Sequence, residues 1–141
     1  MIGYLDTSAF VPLLVAEPGS PACRRFWDDA DAVVSCRLLY VETAAALAQA
    51  LRMARLDKDQ YERARHLLDA LWAEVEVIEL DELLAAAAAE AAHALGLRGY
   101  DAVHCAAAEQ LADEDLVAAS GDRRLLDAWS ECGLPTYDTN A

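Results

Sequence analysis

Short apolar runs alternate along this chain with longer segments of helical periodicity. That alternation predicts an α/β fold around a parallel sheet. Ile2 to Leu5 reads as a first strand, followed by helices over Ser8 to Val15 and Pro21 to Asp29. Ala32 to Ser35 is a second strand, and a long helix runs from Leu38 to Arg55. Gln60 lies three residues after Asp57, the spacing of a capping box, ahead of the amphipathic run Tyr61 to Trp72. Val75 to Leu80 predicts the third strand, with Val75, Val77 and Leu80 apolar. The alanine-rich stretch Ala85 to Ala92 predicts helix, because alanine is the best helix former, and Gly96 is its natural stop. A helix over Tyr100 to Ala112, a strand over Leu116 to Ala119 and a helix over Arg123 to Cys132 follow. Gly133 and Pro135 then punctuate the chain, and Thr136-Tyr137 can add a fifth short strand. The expectation is one α/β domain over 1–141, with a central, mainly parallel sheet of four to five strands flanked by helices.

Composition supports this and narrows the setting. With 141 residues, 56% of them hydrophobic, the chain can fill a core without disulfides or a structural metal. No apolar stretch is long enough to cross a membrane, and no basic leader precedes the first strand, which points to the cytoplasm. Cys23, Cys36, Cys105 and Cys132 are scattered, form no C-x-x-C pair and lack zinc-site spacing; they read as reduced thiols acting as small core residues. The formal net charge of −14 argues against generic nucleic-acid binding, which relies on a basic surface. It leaves room for a basic protein partner, and for a nuclease whose bound ions reverse the local sign.

Four carboxylates stand where the surrounding pattern is apolar. Asp6 ends the run Ile2-Gly3-Tyr4-Leu5, where ligands gather beyond the carboxyl ends of parallel strands. Glu42 shares a helix face with Leu38, Leu39, Ala45 and Ala46, and so points to the apolar side; the alternative is a rim glutamate paired with an arginine such as Arg37. Asp101 opens the helix carrying Val103, Ala106 and Ala107, and Asp122 follows the fourth strand through Ser120-Gly121. For Asp6, Asp101 and Asp122, helix capping is the competing use of the side chain. At about 5 Å and an effective dielectric near 20, each carboxylate pair repels by roughly 3 kcal/mol, so a converged set titrates upward or holds a cation. Oxygen-only donors select Mg2+ or Mn2+ over zinc.

The segments Tyr4-Leu5-Asp6-Thr7-Ser8-Ala9, Val41-Glu42, Leu97-Arg98-Gly99-Tyr100-Asp101-Ala102-Val103-His104 and Ser120-Gly121-Asp122-Arg123-Arg124-Leu125 together resemble the PIN-domain family, in particular the VapC-type toxin ribonucleases of toxin–antitoxin pairs. The resemblance covers essentially the whole chain and departs from the family at Cys105, where a larger aliphatic residue is common. It implies a metal-dependent endoribonuclease with Asp6, Glu42, Asp101 and Asp122 as its catalytic acids. Asp6 and Asp101 would be the primary Mg2+ ligands (Mn2+ as an alternative), with Ser8 or Thr7 orienting Asp6 or a metal-bound water, and Glu42 and Asp122 completing the pocket. It also implies RNA as substrate, hydrolysis leaving a 5′-phosphate and a 3′-hydroxyl, a homodimer, and inhibition by a cognate antitoxin.

Two other readings compete. One is a catalytically silent binding module on the same fold; the other is a phosphoryl-transfer enzyme with Asp6 as nucleophile, although that chemistry wants a second aspartate where Ser8 stands. No glycine-rich phosphate loop supports a nucleotide-binding role. His104, one helical turn past Asp101, reads as a hydrogen-bonded structural histidine, with a supporting role behind the acids as the alternative, and His66 and His93 carry no assigned role. Arg37, Arg98, Arg123 and Arg124 flank the acids as phosphate contacts or ion-pair partners. Trp27, Trp72 and Trp129 fall at apolar helix positions suited to core or dimer packing.

Overall fold

The computed structural model describes all residues 1–141. Five strands form one sheet: β1 (Ile2–Leu5), β2 (Ala32–Cys36), β3 (Val75–Ile78), β4 (Leu116–Ser120) and β5 (Thr136–Asp138). Their order is β3-β2-β1-β4-β5, and every neighbouring pair is parallel. Seven helices cover it: α1 (Thr7–Phe10), α2 (Ser20–Asp29), α3 (Leu38–Arg52), α4 (Lys58–Trp72), α5 (Glu82–Leu95), α6 (Gly99–Glu109) and α7 (Arg123–Glu131). No helix is long and apolar enough to cross a membrane.

The central strands are mostly apolar because both faces of the sheet are buried, and their two serines are hydrogen-bonded, Ser35 to the Leu5 carbonyl and Ser120 to Asp6. Successive side chains on a strand point to opposite faces, so Tyr4, Val34 and Ala118 enter one core while Leu5, Val33 and Ala119 enter the other. The first core is closed by α5, α6 and α7, with Trp129 and Leu84 fully buried. The second is closed by α1 to α4, through Phe10, Phe26, Leu39, Leu47 and Leu68. Gly3 is required here: a Cβ built on it would lie 2.7 Å from Cε2 of Phe26. Trp27 and Trp72 are half-buried at the edge of the second core, and Arg37 lies over the Trp72 ring at 5.9 Å.

The expected elements are all present, and the differences are local. The helix expected over Ser8 to Val15 is one turn of α1 followed by a 3-10 turn over Val11–Leu13. Pro12 lacks the N–H needed to continue the α pattern. The helix expected to reach Arg55 stops at Arg52 because Ala54 turns left-handed, with φ of 57°. The amides of Arg55 and Leu56 then bond back to the Ala50 carbonyl, closing the helix end that glycine usually closes. Strand β3 ends at Ile78 rather than Leu80, since its last partner, Cys36, ends β2. Helix α6 ends at Glu109 rather than Ala112, where Leu111 and Ala112 bond only three residues back. The Asp57–Gln60 capping box and the left-handed Gly96 cap, with φ of 65°, are both formed.

Candidate active site

In the order β3-β2-β1-β4-β5, β1 and β4 are neighbours whose outgoing connections run to opposite faces, which opens a crevice beyond their carboxyl ends. Asp6 leaves β1 there, and Gly121-Asp122 leave β4 beside it. Helix α3 brings Glu42 and α6 brings Asp101 to the same crevice, a cavity of about 520 Å3 lined by all four acids together with Ser8 and His104.

Asp6 is both a cap and a site residue. Its Oδ1 accepts from the Ala9 amide at 3.0 Å, capping α1, and from Ser8 Oγ at 2.8 Å. Its Oδ2 accepts from Ser120 Oγ at 2.8 Å. Burial raises its pKa from 3.8, while the charge of His104 and the hydroxyls of Ser8 and Ser120 pull it back. Asp122 likewise caps α7, with Oδ1 accepting from the Arg124 amide at 2.9 Å. Asp101 does not cap. It sits in the first turn of α6, whose N-cap is Arg98, and its Oδ2 takes the Arg98 Nε hydrogen bond at 3.2 Å. Nη2 of Arg98 also lies 3.9 Å from Asp122, so one exposed guanidinium bridges two of the acids.

Glu42 is not paired with Arg37, which instead pairs with Glu79. Its Oε1 accepts from Thr7 Oγ1 at 3.0 Å and from His104 Nε2 at 2.8 Å. His104 is buried, and its other nitrogen lies 2.8 Å from Tyr4 Oη and 3.6 Å from Cys36 Sγ. Burial works against a charged imidazole, yet the contacts to Cys36 and Glu42 and the field of Asp6 raise its pKa to about 10. With both ring nitrogens engaged, His104 positions Glu42 and is not itself free to ligate. Gly121 closes the crevice: a Cβ on it would lie 2.9 Å from Thr139 Oγ1, and its amide donates to Ser8 Oγ at 2.7 Å.

The donor set left facing the cavity is carboxylate oxygen, with no thiol. The carboxylates lining the cavity, Glu17 among them, outnumber the cations Arg98 and His104 that pair with them, a negative excess that a hard dication would offset. The residues present therefore fit a divalent ion of the Mg2+ or Mn2+ kind.

The family profile described as PIN domain matches residues 3–128, a span that holds all four acids. The chain belongs to the PIN domain family. Among curated relatives, Ribonuclease VapC45 of Mycobacterium tuberculosis is 43% identical over 122 residues, 86% of this chain and 85% of the relative. Among solved structures, FitAcB from Neisseria gonorrhoeae superposes with a TM-score of 0.73 at 19% identity, over 99% of this chain and 98% of that one. A toxin–antitoxin complex from Klebsiella pneumoniae matches with a TM-score of 0.59 at 14% identity, over 85% and 86% of the two chains. These structural likenesses show the PIN fold.

The polar frame of the PIN-domain pocket is only partly legible in the sequence. His104 is the hydrogen-bonded histidine expected, and the fold adds its partners, linking Tyr4 to Glu42. Ser120 carries no expected role from the sequence, yet it is buried between the Asp6 carboxylate and the Asp122 amide, 2.9 Å from the latter. The matching signals were present: a serine two residues after Asp6 and another two residues before Asp122.

Proposed function

We propose that this chain is a metal-dependent endoribonuclease, the toxin of a toxin–antitoxin pair, acting in the cytoplasm. The observation that carries the reading is the convergence of Asp6, Glu42, Asp101 and Asp122 on one crevice at the carboxyl edge of the sheet. The VapC ribonuclease relative at 43% identity supports the activity class. Asp6 and Asp101 are the primary ligands in this reading, and Glu42 and Asp122 complete the pocket. Bound there, Mg2+ (or Mn2+) would supply Lewis acidity toward a phosphodiester and lower the pKa of a water.

The chain's own residues do the positioning. Ser8 and Ser120 hold the Asp6 carboxylate from two sides, so its orientation is set before any ligand arrives. Thr7 and His104 fix Glu42 in the same way. Arg98, 71% exposed at the rim, is placed to meet a phosphate when a cation replaces it at Asp101 and Asp122. The aspartyl-phosphate alternative is disfavoured, because Ser8 stands where that chemistry wants a second aspartate.

Partners follow from surface chemistry. A strongly acidic chain with an acidic crevice suits an antitoxin that presents a basic side chain to the carboxylates. Leu83, Val41 and Tyr100 are large apolar residues left exposed, at 80%, 61% and 64%, the kind of surface a homodimer would cover. The test is cleavage of cellular RNA by the purified chain with Mg2+, with Mn2+ and with a chelator, beside Asp6→Ala and Asp101→Ala. Expected are cuts bearing 5′-phosphates that vanish with the chelator and in both variants. Cleavage that survives both would overturn the proposal, as would a well-folded wild-type chain that binds its antitoxin and cuts no RNA under any metal.

A further inference from the structure

The cysteines expected to be inert core residues are not all so placed: Cys132 is exposed, and the fold brings it to Cys105, 27 positions earlier in the chain. Between them stands Glu109. Its Oε1 accepts from Cys132 Sγ at 2.9 Å and from Cys105 Sγ at 3.6 Å, and the three ligating atoms all lie within 4.8 Å of one another. In a tetrahedral zinc site with Zn–S near 2.3 Å, two sulfurs sit about 3.8 Å apart, so this spacing needs only small side-chain rotations to close on an ion. Cys105 is buried, while Glu109 and Cys132 border a cavity of about 540 Å3 that Glu90 of α5 also lines. The ion would have a route in, and a fourth position open to water or to the Glu90 carboxylate.

We propose that Cys105, Glu109 and Cys132 form a second cation site, chemically distinct from the acidic crevice, that takes a thiophilic divalent ion of the Zn2+ class. Two sulfur donors select such an ion over Mg2+, as the all-oxygen crevice does the reverse. Binding forms two metal–sulfur bonds and releases two thiol protons to solvent. Glu109 ends α6 and Cys132 caps α7, the helices whose other ends carry Asp101 and Asp122. The ion therefore ties together, from the far side, the two helices that frame the crevice.

The test uses the full chain, reduced and stripped of metal, with Co2+ as the probe. Expected is one cobalt per chain giving a sulfur-to-cobalt charge-transfer absorption, which the carboxylate crevice does not produce. Zn2+ should remove this band stoichiometrically and raise the Tm. Cys132→Ser should lose the band and at least tenfold in Zn2+ affinity. Glu109→Gln, also at an exposed position, should keep a sulfur band with weakened affinity. Absence of the band in the reduced wild-type chain would overturn the site, and so would an undiminished band in Cys132→Ser. A Cys105–Cys132 disulfide after aerobic purification, with no ion uptake on reduction, would replace the proposal with a redox bridge.

Discussion

Replacing Asp101 by Asn removes one negative charge from the crevice while keeping the size of the side chain. Two terms of opposite sign follow in the metal-free protein. The variant loses the ion pair with Arg98; because that guanidinium is 71% exposed, the pair contributes at most about 1 kcal/mol. It also relieves repulsion from Asp6, Glu42 and Asp122. A bare pair at about 5 Å repels by roughly 3 kcal/mol at an effective dielectric of 20, and water in the open cavity together with the Arg98 charge reduces the total relief to roughly 2 kcal/mol. The balance of about 1 kcal/mol should raise the Tm by roughly 3–5 °C in a chain of this length. Mg2+ should reverse the order, since an ion at a hundred times its Kd adds about 2.7 kcal/mol to the wild-type chain and little to the variant. Thermal melts in chelator and across a Mg2+ series test both halves. If Asp101→Asn melts below the wild-type chain in chelator, the carboxylates do not crowd one another and the reasoning fails.

Other perturbations address the frame around the acids. Ser120→Ala should destabilise by about 1–3 kcal/mol in denaturant titration, because it strips a donor from the buried Asp6 and an acceptor from the Asp122 amide. It should also shift the acid limb of any cleavage profile upward. His104 predicts a pH slope: its folded pKa near 10 lies above the ordinary 6.5, so its stabilisation is complete below about 6.5 and is lost as pH rises toward 10. Across that window the metal-free chain should lose at most about 5 kcal/mol, and His104→Gln should flatten the slope. Ala54→Gly should raise stability by roughly 0.5–1 kcal/mol, since a left-handed φ of 57° strains any residue with a Cβ; an unchanged or lower Tm would contradict this.

Periodicity made the elements legible because both faces of the sheet demand apolar strands, and the helices carry their own start and stop residues. Asp57 with Gln60, and Gly96, are local signals that act within four residues. The end of α3 was illegible because alanine occupies a position normally marked by glycine. The four acids stood out as charges in apolar surroundings, and the crevice does gather them. What no local pattern could supply were long-range pairings: Ser120 on Asp6, Arg98 on Asp122, and Cys132 on Glu109; the ion-pair role of Arg98 three residues before Asp101 was legible. The capping and crevice roles of Asp6 and Asp122 turned out to be compatible, since a carboxylate has two oxygens and a helix start needs only one.

The pairing of β1 with β4 joins Ile2 to Leu116 and Leu5 to Ala119, so the middle of the sheet closes over a loop of more than a hundred residues. Closing so long a loop is slow, and it waits on the last quarter of the chain. A polypeptide still emerging from the ribosome thus carries Asp6 and Glu42 early but lacks the strand that completes the crevice. The acidic pocket is thus assembled by the most distant pairing along the sheet, and any intermediate that lacks β4 holds its first two carboxylates without the wall that gathers them.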